Sequence, residues 1–127
     1  MSSVRVKICG ITRSEDLGVA VEAGTDAVGF VFAERSKRRL DTGQAEKLVR
    51  QVPAFVSRVG LFLDQEADFV ARVLERVPLT LLQFHGSENA AFCRQFGLPY
   101  MKAVAMDSDL AVGTAAADFP DAAALLL

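Results

Sequence analysis

Two rhythms of apolar and polar positions take turns along this chain. Short apolar runs of four to seven residues alternate with longer stretches whose apolar residues recur every three or four positions, the signatures of strand and helix. Val4–Cys9 reads as the first strand. Thr12-Arg13-Ser14-Glu15 then has the form of a capping box, and Leu17, Ala20, Val21 and Ala23 share one face of a helix that Gly24 stops. Ala27–Phe32 is the second strand. Asp41-Thr42 opens a helix with Ala45, Leu48, Val49 and Val52 inward, closed near Pro53. Arg58–Leu63 is a third strand, followed by a helix that Asp64 is expected to cap, with Val70, Val73, Leu74 and Val77 on its buried face. Leu79–His85, a helix through Phe92, Cys93 and Phe96 to Gly97, and the strand Tyr100–Ala105 come next. Asp107 or Ser108 is expected to cap an alanine-rich helix before a last strand at Ala122–Leu127.

Most strand starts recur at about 21 to 22 residues, with one gap near 31, the length of one strand-plus-helix unit. Strict alternation of this kind calls for parallel strands joined by right-handed crossovers. The runs VGFVF, VGLFL and LTLLQF are nearly continuous in apolar residues, as strands covered on both faces should be. Two architectures satisfy the pattern, an open doubly wound sheet and a (β/α)8 barrel. No G-x-G-x-x-G follows a strand, which takes support from the dinucleotide-binding fold and favours the barrel. Barrels need eight strands and usually at least ~200 residues. This chain has 127 and ends in Ala-Leu-Leu-Leu. The expectation is a single domain over residues 1–127 holding the first six βα units of an incomplete barrel, truncated or completed by something else.

Composition narrows the class. Hydrophobic residues make up 51% of the chain, enough for a globular core. No apolar run approaches the roughly 18 residues of a membrane helix, and no signal peptide precedes the first strand. Net charge is −2, which points away from nucleic acid. Cys9 and Cys93 match neither a metal-binding spacing nor a disulfide framework, so a reduced, cytoplasmic setting is expected, without metal.

A parallel barrel carries its chemistry at the C-terminal ends of its strands. That rule selects Cys9-Gly10, Phe32 through Arg39, Asp64, His85-Gly86 and Met106-Asp107. Cys9 is a candidate nucleophile or general base beside the cations of its strand; the bland alternative is a small buried hydrophobe. His85, the sole histidine, shares strand parity with Gln83 and should point into the barrel mouth. Arg35-Ser36-Lys37-Arg38-Arg39 is either solvated surface or a source of guanidinium for a carboxylate. Arg5, Lys7 and Lys102 lie within predicted strands, where buried cations need partners. These partners are absent strands, strand-end carboxylates or an anionic ligand.

The residues V-K-I-C-G-I-T, D-A-V-G-F-V-F, S-K-R, R-V-G-L-F, L-Q-F-H-G and K-A-V, in that order and spacing, closely resemble phosphoribosylanthranilate isomerases of tryptophan biosynthesis. The resemblance implies an eight-stranded barrel and an Amadori rearrangement of N-(5-phosphoribosyl)anthranilate to 1-(o-carboxyphenylamino)-1-deoxyribulose 5-phosphate, with no cofactor or metal. In that family an aspartate acid opens the ribose ring and the strand-one cysteine removes the C2′ proton. Cys9 matches the base. Arg38 matches the arginine that holds the anthranilate carboxylate, and His85 matches the histidine of L-Q-x-H-G, expected to bind substrate.

This chain departs from the family's pattern in two places. Ala33-Glu34-Arg35-Ser36-Lys37 lacks the proline common before the arginine. The family's acid follows the motif L-L-D, whereas Leu125-Leu126-Leu127 closes this sequence, and the phosphate-binding loops after strands seven and eight have no counterpart. The 127 residues alone are therefore expected to be inactive, with a self-associating partial barrel as the second reading.

Overall fold

The computed structural model describes residues 3–105 and 111–127. Its elements are β1 (Lys7–Cys9), α1 (Ser14–Glu22), β2 (Ala27–Val31), α2 (Thr42–Val49), β3 (Ser57–Phe62), α3 (Ala67–Arg76), β4 (Leu81–Phe84), α4 (Ala90–Arg94), β5 (Tyr100–Ala103), α5 (Ala111–Asp118) and β6 (Ala124–Leu126). The strands form one parallel sheet in the order β1-β2-β3-β4-β5-β6. A doubly wound sheet reverses its strand order at a switch point; here every strand lies beside its sequence neighbours. The half-barrel therefore decides between the two architectures left open by the alternation. No described helix is long and apolar enough to cross a membrane.

Strand parity divides the molecule into two faces. Val28, Phe30, Phe62, Leu82, Phe84 and Tyr100 turn toward the helices and are buried with Leu17, Ala45, Val49, Val70, Val73 and Cys93. Phe84 is fully buried and its ring meets those of Phe62, Phe92, Phe96 and Tyr100 at centroid distances of 5.8–6.2 Å. Lys7, Cys9, Val31, Leu61, Gln83 and Leu126 turn the other way, into the barrel interior.

Several expected details differ. The first strand is shorter than Val4–Cys9, and its apolar face is open rather than buried, with Val4 89% and Ile8 40% exposed. A period-two pattern marks a face suited to burial, but burial needs an element packed on it. Arg5 consequently lies outside the strand and is exposed. The Thr12–Glu15 capping box does not form: Arg13 is the N-cap of α1 without a side-chain cap bond, and its guanidinium pairs with Asp16 at 3.1 Å. Asp64 does not cap α3. Glu66 holds that position, while Asp64 adopts φ 54° and its carboxylate accepts the Ser87 N–H at 2.6 Å. By contrast Asp41 caps α2 in a full capping box with Gln44. The expected cap at Asp107 or Ser108, and the strand-end pair Met106-Asp107, lie outside the described residues.

Cys93, expected on the apolar face of its helix, is fully buried, and burial pushes its thiol up to about 11 from the ordinary 9.0. Tyr100 is also raised, first by burial and then by its hydrogen bond to Asp121. Both groups stay neutral in the fold and ionise more readily when unfolded. Their contribution is complete below the unfolded pKa and is lost as pH rises toward the folded one. Stability should therefore fall between pH 9 and 11, by about 3 kcal/mol from Cys93, at roughly 1.4 kcal/mol per unit of pKa. Urea unfolding at stepped pH under reducing conditions measures this; a flat profile across that window would contradict it.

Candidate active site

At the C-terminal ends of the strands the interior opens into a cleft of about 1210 Å³. Lys7, Cys9, Arg38, Asp64, Gln83 and His85 contribute to its lining. Cys9 ends β1 half-buried, opposite Gly29 of β2 in the parallel register. A Cβ on Gly29 would stand 2.9 Å from the Cys9 sulfur, so glycine is what leaves the thiol its space. Gly10 turns the chain out of the strand with φ +84°, a left-handed conformation that glycine adopts without strain. The N–H groups of Gly10 and Ile11 both donate to the Gly29 carbonyl, at 2.9 and 3.2 Å, and fix the end of β1 against β2.

Arg38 reaches this corner from the β2–α2 loop. Leu40 N–H donates to the Val31 carbonyl at 2.9 Å, which returns the loop to the sheet. The Arg38 guanidinium donates to the Cys9 carbonyl at 3.2 Å and lies over Gly10, where any Cβ would approach it to 2.5 Å. An exposed guanidinium anchored at one nitrogen keeps other N–H donors for an anion. The basic loop is thus neither wholly solvated nor wholly in the site: Arg38 sits beside Cys9 and Arg35 on the cleft wall.

The floor is polar. Lys7 Nζ donates to Gln83 Oε1, and Gln83 Nε2 stands 3.5 Å from His85 Nδ1. Gln83 is 1% exposed, so its two-sided amide links the cation of β1 to the histidine after β4. His85 itself is exposed at the cleft mouth, as its parity with Gln83 anticipates. The three expected site residues therefore share one cleft, Cys9 and Arg38 in contact and His85 across the floor through Lys7 and Gln83.

The set of strand cations divides differently from the expectation. Only Lys7 faces the cleft. Lys102 points to the helix side, 5% exposed, 2.9 Å from Glu88 and 5.4 Å from the ring of Phe119. Of the three partners weighed for a buried strand cation, a strand-end carboxylate is the one it has. Glu88 escaped notice in the sequence because it follows a Gly-Ser turn and looks like a solvated loop charge. The signal available was Lys102 itself, a cation in an apolar strand that had to be paired. Among the described residues no group of three His, Cys, Asp or Glu side chains is arranged to hold a metal.

The family model for N-(5'phosphoribosyl)anthranilate (PRA) isomerase matches residues 6–127. The chain belongs to this family. A relative from Thiobacillus denitrificans, an N-(5'-phosphoribosyl)anthranilate isomerase, is 53% identical over 125 residues. That match covers 98% of this chain and 61% of the relative, so the chain spans about three fifths of that isomerase's length. Among solved structures, a phosphoribosyl anthranilate isomerase in complex with reduced 1-(o-carboxyphenylamino)-1-deoxyribulose 5-phosphate is 40% identical with a TM-score of 0.84, over 89% of this chain and 59% of the other. Monomers generated from the dimeric Thermotoga maritima isomerase superpose with a TM-score of 0.89 at 36% identity, over 98% of this chain and 64% of the other. The isomerase family and its barrel-type fold agree with the motif order along the sequence.

Proposed function

We propose that a protein carrying this sequence at the length of its relatives is an aldose–ketose isomerase of tryptophan biosynthesis. It converts N-(5-phosphoribosyl)anthranilate to 1-(o-carboxyphenylamino)-1-deoxyribulose 5-phosphate. The observation that carries this reading is the contact between Arg38 and Cys9 at one corner of the cleft. It holds a guanidinium on the main chain of the cysteine that lines the same cleft, the two groups this substrate needs at its anthranilate end and its C2′ hydrogen. Once the ribose ring opens to the Schiff base, the C2′ proton lies next to an iminium carbon and is acidic enough for a thiolate to remove. The electron pair from the C2′–H bond moves toward nitrogen, giving an enolamine that tautomerises to the ketone. Ring opening needs a separate acid. The resemblance assigns it to an aspartate that would follow Leu127.

His85 is the second substrate-binding residue, tethered to the floor by Gln83. The substrate is a small anion, bound without cofactor or metal in this reading. Free thiols at Cys9 and Cys93 accord with a cytoplasmic setting. Self-association of the 127 residues by themselves, across the exposed Val4, Val6 and Ile8 at the edge strand, is the second reading.

Arg38→Ala tests the substrate assignment in such a protein. Losing a charge-assisted hydrogen bond to the carboxylate, worth about 1.5–3 kcal/mol, should raise KM by roughly 10- to 150-fold. Arg38→Lys should recover only part of this, because an ammonium lacks the planar fork. Steady-state kinetics of ketose formation measure both, and an unchanged KM in Arg38→Ala would refute the assignment.

A further inference from the structure

Two loops at the cleft mouth hold one another through a buried carboxylate. Glu88, 7% exposed, accepts the Asp64 N–H at Oε2 (2.8 Å), the Gly86 N–H at Oε1 (2.8 Å) and the Lys102 ammonium at Oε1 (2.9 Å). Lys102 also donates to the Gly86 carbonyl at 2.6 Å. Asp64 returns the contact by accepting the Ser87 N–H. The backbone of Gly86 packs so closely on the Asp64 carboxylate that a Cβ there would lie 2.5 Å from it. The loops after β3 and β4 are thus cross-clamped, each side chain binding the other's backbone, and β5 supplies the ammonium that pairs with the buried Glu88 carboxylate.

We infer that Glu88, held by Lys102, is a positioning residue of the proposed isomerisation, fixing His85 and the Asp64 loop where substrate enters. His85 directly precedes Gly86, whose N–H and carbonyl are both committed to the clamp. The histidine thereby starts from a fixed backbone before Gln83 orients its ring. Neither Glu88 nor Lys102 lines the cleft, so both act through the loops.

The inference rests on the isomerase reading, and the test separates the two. Glu88→Gln presents an NH₂ group to one of the two backbone N–H donors, so at least one of those bonds is lost. Lys102→Met leaves the carboxylate unpaired. Each single variant should be less stable, because one buried charge is stranded. The double variant Glu88→Gln/Lys102→Met removes both charges and should regain thermal stability. Its loops keep only part of the clamp, the Ser87 N–H to Asp64 bond and one bond to the Gln carbonyl at most, so KM should stay about tenfold above the unsubstituted protein with kcat within about threefold, the signature of lost binding rather than lost chemistry. In parallel, amide hydrogen exchange of this chain should show reduced protection at Asp64 or Gly86 in both Glu88 variants. Recovery of KM together with stability in the double variant, or unchanged protection at both amides, would overturn the positioning role. Absence of turnover in the unsubstituted full-length protein would instead overturn the isomerase reading, while amide exchange still reports on the clamp.

Discussion

Replacing Cys9 with serine should lower turnover by about 10²- to 10⁴-fold, the usual contribution of a positioned general base. A hydroxyl is close to a thiol in shape but ionises far above any working pH, so it cannot take the C2′ proton. The surroundings favour a clean substitution. Cys9 is half-buried, ends its strand, and faces Gly29, which leaves room for either atom. The melting temperature should therefore change little while kcat collapses and the Arg38-dependent KM persists. Kinetics and thermal unfolding of a full-length protein carrying this sequence decide the matter. Turnover within a few fold of the unsubstituted protein would remove Cys9 as the base. Cys93 provides the contrast: it is enclosed in the core with its thiol held neutral by burial, so alkylating reagents should modify Cys9 and spare Cys93 in the folded protein.

Phe84→Ala should cost about 3–5 kcal/mol, the range for deleting a buried aromatic side chain. The upper part of that range is expected. Phe84 has no exposed surface and sits among four other rings contributed by β3, α4, the segment after α4, and β5. Truncation would leave a cavity bounded by a rigid sheet on one side, which cannot collapse to fill it. Small domains hold only about 5–15 kcal/mol in total, so this loss is a large share of the whole. Phe55, fully exposed, is the matched control, and its replacement by alanine should be nearly neutral. Urea denaturation of both variants measures the difference. A loss below about 1 kcal/mol at Phe84 would show that the aromatic cluster is not the centre of the core.

Where sequence and structure part, a competing contact stands at each position. Thr12 had a suitable partner spacing in Glu15, yet α1 starts one residue too late for it, with Arg13 turned to Asp16 instead. Asp64 had the right residue type for a cap, but the Ser87 N–H of the neighbouring loop claims its carboxylate. At Asp41 no such competitor intervenes, and the local signal alone produced the cap. The site shows the same division. That Cys9, Arg38 and His85 share one cleft was readable, because they stand in ordered motifs that resemble the family's and lie at or after strand ends. Gln83 as a bridge and Glu88 as a clamp were not, since each depends on a partner supplied by another strand.

The amino-acid sequence by itself determined the alternation of strand and helix, the parallel sheet this demands, and the family to which the motifs belong. The alternation and the sheet follow from periodicity and short-range chemistry, which are properties of neighbours along the chain; the family rests on the resemblance of the ordered motifs. Only the tertiary structure decided that Lys102 serves the loops while Lys7 serves the cleft. It also decided that the guanidinium of Arg38 reaches the main-chain carbonyl of Cys9. Those outcomes depend on strand parity, register and loop path together, and a one-residue shift in any strand would send each side chain to the opposite face. The run from Lys7 to Thr12 carries both kinds of information: its residues name the chemistry, and Gly29, Arg38 and Gln83, brought from elsewhere in the fold, give it a place to act.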